Sequence, residues 1–208
     1  MAQICGGNVT LVMQRSFLQK LLYGGGVFFD LTKWIVLVII ALVVINKFWF
    51  TIFIVDGESM EPNFHDRELV LLNKNYLRGS TLPARGDAVV VQYPGDPEHK
   101  RYVKRVIGLP GETIEVKYDS VLINGKRITE NYIPYGTNME PEGDWQLRSD
   151  QYFLMGDNRE NSNDSRYFGP VERRFFIGRA QAIIYPRLLA VETPLYNPIN
   201  IFSLGDKQ

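Results

Sequence analysis

Cysteine is nearly absent. Cys5 is the sole one, so no disulfide can join two parts of the chain and no thiolate cluster can hold a metal. Histidine is scarce as well: His65 and His99 are the whole supply, too little for a histidine-rich metal site. No charge of one sign dominates, since 23 lysines and arginines face 23 aspartates and glutamates. A nucleic-acid-binding surface calls for a basic stripe, and none is visible. Internal repeats and low-complexity tracts are missing too, and Gly-Gly-Gly at 24–26 is the one flexible-looking run. No cofactor is implied.

What the chain does have is one long apolar stretch. Residues 34–45 carry no polar side chain, and after Asn46 and Lys47 the apolar character resumes through Val55. The first run alone is too short to cross a bilayer. Residues 34–55 together reach about 33 Å as a helix, which suffices. A spanning helix is expected near 34–53, with Lys47 snorkelling to the headgroups and Trp49 at the interface. Phe48, Phe50 and Phe64 are further candidates for the interface, with plain anchoring or core packing as the equal alternative. Bulky aromatics follow the run in place of a small-x-small site, so it reads as a retained anchor and not a cleaved leader. Arg15, Lys20 and Lys33 precede it against Asp30. The positive-inside tendency then places residues 1–33 in the cytoplasm and 56–208 on the exterior face of the cell membrane.

The exterior part reads as mainly β. Residues 68–72 and 87–92 are short, branched apolar runs bounded by turn formers, and 112–118 alternate polar with apolar. Residues 121–128 hold the strongest hairpin signal, because Asn124-Gly125 supplies two residues tolerant of positive φ for a type I′ turn. No segment beyond 56 sustains a helical apolar period. Residues 129–150 are polar with Gly and Pro, so an irregular excursion from the sheet is expected over about 117–150. The size of 56–208 allows a substantial core. The expectation is a single N-terminal transmembrane helix followed by an exterior β-sheet domain with a hairpin-containing insertion.

The chemistry begins with Ser59, a few residues after the apolar stretch. A serine hydroxyl is a poor nucleophile at neutral pH and needs a base. Neither His65 nor His99 sits in a recognisable triad context. Lysine can serve if it is neutral, and burial among apolar groups favours the neutral form. Lys104 lies in the strand-like segment Tyr102-Val103-Lys104-Arg105-Val106-Ile107. Composition alone does not single it out from a solvated strand lysine, nor Ser59 from an ordinary turn serine.

Four blocks in order decide more. Gly57-Glu58-Ser59-Met60-Glu61-Pro62, Arg85-Gly86-Asp87-Ala88-Val89-Val90, Tyr102 to Gly111 and Gly156 to Gly169 resemble the boxes of the bacterial type I signal peptidases, membrane-bound Ser-Lys proteases. The resemblance covers roughly residues 34–185, anchor included. It implies an endopeptidase that removes signal peptides from secreted preproteins at small-x-small sites. It implies Ser59 as nucleophile, Lys104 as general base and Ser162 as the hydroxyl that orients the lysine amine. Asp157, Asp164 and Arg166 fall on box residues that brace the site, and Arg105 is expected to pack or pair. Val55, Met60 and Val103 would line shallow substrate pockets, with Gly57 beside them. The Ser59 N–H would form part of an oxyanion hole. Some family members carry a serine at the position of Gly57 as a second donor, so the identity of that donor stays open here.

Two rival readings are a related self-cleaving Ser-Lys peptidase and a non-catalytic, membrane-tethered β domain acting as a binding module. The first calls for a DNA-binding helical domain and no anchor, the reverse of this chain. The second is weakened by the presence of both proposed catalytic residues. The implied partners are preprotein signal peptides and the lipid bilayer, with no nucleic acid. Oligomeric state, individual substrates and the roles of 1–23 and 186–208 are not legible.

Overall fold

The computed structural model describes residues 29–75, 82–93, 98 and 100–194. His99 and residues 1–28 and 195–208 lie outside this set, as do the expectations placed on them. The chain divides into two compact units that meet in sequence at Lys47 and Phe48.

The first unit contributes helix α1, Phe29–Phe48, long and apolar enough to cross a membrane. Its 20 residues reach about 30 Å, the thickness of a hydrocarbon core. The helix begins and ends earlier than the expected 34–53, and the expected anchor 34–55 is corrected accordingly. Residues beyond Trp49 are strand. The reason is their pattern: in Phe50-Thr51-Ile52-Phe53-Ile54, Phe53 is half-buried while its neighbours Ile52 and Ile54 are exposed. That alternation suits a half-buried strand. The earlier end also moves Lys47 from mid-span to the last helical turn, where a cation complements the helix dipole.

The second unit is β throughout its core. Strands β1 (Phe50–Ile54), β2 (Leu69–Asn73), β3 (Ala88–Gln92), β4 (Arg101–Gly108), β9 (Gln151–Met155), β10 (Val171–Glu172) and β11 (Phe176–Tyr185) form the large sheet. Their order is β1-β2-β11-β3-β4-β9-β10, and β12 (Leu189–Ala190) adds to β11. All these pairs are antiparallel. The expected runs 68–72 and 87–92 thus become β2 and β3.

A second sheet, in the order β7-β6-β5-β8, is built from β5 (Thr113–Lys117), β6 (Ser120–Ile123), β7 (Lys126–Arg127) and β8 (Gly143–Gln146). The predicted hairpin falls between β6 and β7. Asn124 has φ 52° and Gly125 φ 76°, the two positive values a type I′ turn requires. The expected irregular excursion over 117–150 is therefore partly regular. Strand β8 escaped notice because it is short and polar. It is held by Trp145, which lies opposite Ile114 on β5 and stacks on Phe153 with ring centroids 4.7 Å apart.

Three apolar clusters make the core. One gathers Val55, Met60, Phe64, Val70, Leu72, Val90 and Val103 between the strands of the large sheet. Phe64 is thus a core residue and not an interface aromatic. A second ties the small sheet to β9 through Ile107, Ile114, Val121, Phe153 and Met155. A third lies around Val89, Val106, Tyr152 and Leu154.

A Gly125→Ala substitution puts a Cβ on a left-handed residue. It is expected to cost about 1 kcal/mol, read as a lower unfolding midpoint of the purified full chain in detergent.

Candidate active site

Strand β4 carries Lys104. Side chains alternate along a strand, so Tyr102 and Lys104 point one way and Val103 and Arg105 the other. Val103 enters the first apolar cluster, while Lys104 reaches Ser59. Its Nζ donates to Ser59 Oγ at 2.7 Å. Lys104 is 1% exposed. Burial strips water from the ammonium and pulls the pKa down to about 8, against opposing pulls from Asp164 and Asp157 and with a further push from Arg166. The Tyr102 ring centre lies 5.8 Å from the amine.

Ser59 sits on a tight turn between β1 and β2. Gly57 opens it with φ 91°, a conformation that only glycine adopts without strain. The Gly57 N–H donates to Asp66 Oδ1 at 2.8 Å. Two bonds from Asn158 clamp the turn from the far side: its N–H donates to the Ser59 carbonyl at 3.1 Å and its Nδ2 to the Glu58 carbonyl at 3.2 Å. The serine and lysine open onto a cleft of about 450 Å³ bordered by Asp56, Glu58, Tyr102, Asn161 and Asn163.

Behind the dyad lies a set of buried charges, each with a partner. Asp157 is fully buried and accepts from Arg105 Nε at 2.7 Å, from Arg105 Nη2, and from Asn63 Nδ2 at 2.9 Å. Asp164 caps the short helix α2 (Ser165–Phe168), accepting from the Arg166 N–H. Its carboxylate also accepts from Arg166 Nε at 2.9 Å and from the Gly156 N–H at 2.9 Å. Burial alone would raise the Asp164 pKa, but Arg166 and the Gly156 N–H outweigh it and hold the carboxyl below its ordinary range. Arg166 spans onward to the carbonyls of Met139, Glu140 and Arg159.

Thus the structure brings Ser59 and Lys104 together and places Asp157, Asp164 and Arg166 around them. Ser162 stands apart from its expected role. It is 8% exposed, and its Oγ makes no hydrogen bond to Lys104. Val55, Met60 and Val103 share one buried cluster, at 3%, 1% and 5% exposure. Only Gly57 of the expected substrate residues borders the open cleft. His65 is paired with Glu68 and Arg187, away from the nucleophile. Sequence reasoning missed Asn63, Glu130, Asn158 and Arg159. Asn158 and Arg159 lie inside the Gly156 to Gly169 block and were legible as part of it. Asn63 directly follows the Ser59 block but its partner Asp157 is 94 positions away, and nothing local marks Glu130.

A family model described as signal peptidase, peptidase S26, matches residues 28–185. The chain belongs to this family. A signal peptidase I of Bacillus amyloliquefaciens is 38% identical over 76% of this chain and 88% of that protein. Signal peptidase I S of Bacillus subtilis (strain 168) is 37% identical over 74% of this chain and 87% of its own length. A crystal structure of a signal peptidase I from Enterococcus faecalis V583 matches with a TM-score of 0.43 at 32% identity, covering 49% of this chain and 98% of that one. The S26 match takes in all four blocks and the whole of α1.

Because only the neutral amine accepts a proton, the rate is expected to rise with pH. Its half-maximal point should fall near pH 8, with a plateau above, in kcat/KM profiles on a peptide substrate. A Cβ on Gly156 would collide with the Ser162 hydroxyl and the Ser59 carbonyl. Gly156→Ala is expected to cost about 1–3 kcal/mol of stability and to remove activity, read by thermal unfolding and peptide cleavage.

Proposed function

We propose that the chain is a membrane-anchored serine endopeptidase that removes N-terminal signal peptides from exported preproteins, with Ser59 as nucleophile and Lys104 as general base. The carrying observation is the 2.7 Å contact from Lys104 Nζ to Ser59 Oγ, made by a lysine with almost no exposure to water. Membership in the signal peptidase family supports the substrate class.

The neutral amine takes the Ser59 proton while Oγ attacks the carbonyl carbon at the cut site. The Ser59 N–H stabilises the tetrahedral oxyanion, which preorganised donors do at low cost. The Gly57 N–H is held by Asp66 and is not the second donor in this arrangement. The lysine ammonium then protonates the leaving amine, and the mature chain departs. Water, deprotonated by the same lysine, hydrolyses the ester that joins Ser59 to the signal peptide.

An extended substrate finds a strand edge. β4 pairs with β3 along Arg101–Arg105, and β9 joins its other side only from Arg105 onward. The free edge at 101–104 suits strand addition, with main-chain bonds giving affinity and pockets giving selectivity. Val55, Met60 and Val103 are packed in the core and do not line the open cleft, so any substrate pocket formed over them is shallow and suits alanine-sized side chains. This fits the small-x-small site that follows the apolar core of a signal peptide.

The membrane sets the level of the reaction. Only residues 49–58 separate α1 from Ser59 in sequence. Strand β1 turns Ile52 and Ile54 outward, 56% and 59% exposed, beside Leu71 and Leu69 of β2. These side chains enter the lipid interface, where a preprotein held by its apolar segment presents its cut site. The N-terminus faces the cytoplasm and the β domain the exterior, as Arg15, Lys20 and Lys33 favour.

Ser59→Ala and Lys104→Ala are each expected to lower preprotein cleavage in detergent by at least about 10²–10⁴-fold with unchanged circular dichroism. Lys104→Arg is expected to fail equally, since guanidinium does not lose its proton. Processing at the wild-type rate by either lysine variant would falsify the base assignment. Ile52→Glu with Ile54→Glu is expected to slow cleavage of a membrane-inserted preprotein and to spare a short soluble peptide, which a paired assay would show.

A further inference from the structure

We infer that Glu130, contributed by the loop after β7, is a positioning residue for the Ser59–Lys104 dyad; this rests on the dyad reading above. Its carboxylate binds the guanidinium of Arg159 through two bonds, Nη1 to Oε2 at 2.8 Å and Nη2 to Oε1 at 2.5 Å. The Arg159 side chain is 0% exposed and that of Glu130 5%. Burial is the largest influence and opposes the charge on Arg159, yet Glu130, with help from Tyr132 and Asp157, more than offsets it and raises the guanidinium pKa above its ordinary value. Arg159 is therefore a charged group in the interior, and Glu130 is the carboxylate that neutralises it.

The position of this pair gives it consequences at the dyad. Arg159 Nε donates to the Gly156 carbonyl at 3.0 Å, which closes the turn Gly156-Asp157-Asn158-Arg159. Asn158 within that turn is the residue that clamps the Ser59 and Glu58 carbonyls. The chain of contacts runs Glu130, Arg159, Gly156 turn, Asn158, Ser59. A parallel branch reaches the base. Tyr132, two residues along, bonds Arg159 through its hydroxyl at 3.1 Å and lies under the Arg105 guanidinium at 4.5 Å. Arg105 in turn neighbours Lys104 on β4 and pairs with Asp157. The Tyr132 carbonyl accepts from Asn63 Nδ2 at 3.0 Å, and the same amide reaches Asp157.

The loop between β7 and β8 is thus more than a link in the small sheet. It carries the far anchor of both the nucleophile turn and the lysine strand. Removing one member of a buried ion pair strands the other charge, and the structure relieves that by moving. Here the movable part is the turn that sets Ser59 against Lys104. A displacement of about 1 Å at a reacting pair is enough for roughly a 10²-fold loss.

The test uses the purified full chain in detergent, a peptide spanning a small-x-small site, and five forms: wild type, Ser59→Ala, Glu130→Gln, Glu130→Asp and a double variant. Glu130→Gln is expected to fold, to lower kcat by at least tenfold and to leave KM within twofold, because the substrate edge at 101–104 is untouched. Glu130→Asp keeps the charge but draws it back by one methylene; a severalfold lower kcat is expected, between wild type and Glu130→Gln. It also supplies the reading if Glu130→Gln does not fold. A double form, Glu130→Gln with Arg159→Gln, removes the stranded charge and the strut together. Its kcat should stay low. Full recovery of kcat in the double form, or wild-type kcat in either folded single form, overturns the inference. A rise in KM alone overturns it too. Wild-type cleavage that survives Ser59→Ala would sink the dyad reading instead, and the two failures are told apart by that control.

Discussion

An amine kept out of water against a hydroxyl is the constraint on which the rest of this structure depends. Lysine resists burial because its charged form is strongly hydrated, and that resistance is what lowers its proton affinity here. A lysine in water would hold its proton and leave the Ser59 hydroxyl inert. The fold therefore has to supply a site that is dry at Lys104, open at the Ser59 oxygen and stiff between the two. Strand β4 provides the first by placing Lys104 mid-strand against β3. The Gly57 turn provides the second, and the Asn158 clamp the third.

The charges behind the dyad show a compromise. Asp157 and Asp164 both pull the lysine back towards its protonated form. Left unpaired, they would defeat the effect of burial. Each is committed to an arginine, Asp157 to Arg105 and Asp164 to Arg166, so their fields at Lys104 are partly cancelled. Arg166 also pushes the lysine directly towards the neutral form. The buried ion pairs thus hold loops in place while limiting the field that reaches the base. Such pairs are weak contributors to stability and strong determinants of geometry.

Much of this was legible in residue order. The type I′ turn at Asn124-Gly125 follows from local backbone chemistry, and the strand runs at 68–72 and 87–92 from branched apolar residues between turn formers. The four blocks identified Ser59 and Lys104, which lie 45 positions apart. The anchor was legible in kind but not in extent, because Phe50–Ile54 is apolar enough to pass for helix until its pairing with β2 is known. Strand β8 was hidden for the opposite reason, being polar and held by one tryptophan. Phe64 suits an interface or a core equally by residue type, and only its neighbours in three dimensions make it core.

By itself the amino-acid order determined the family, the apolar helix and the β character of the chain beyond that helix, and it pointed to Ser59 and Lys104 as candidates, since these rest on local pattern and on short motifs. Tertiary structure alone decided which charges meet. Glu130 reaches Arg159 and Asn63 reaches Asp157 across 29 and 94 positions, and no local pattern encodes a partner at such a distance. It also decided that Lys104 is dry, for burial is a property of everything packed around a residue and not of the strand that carries it.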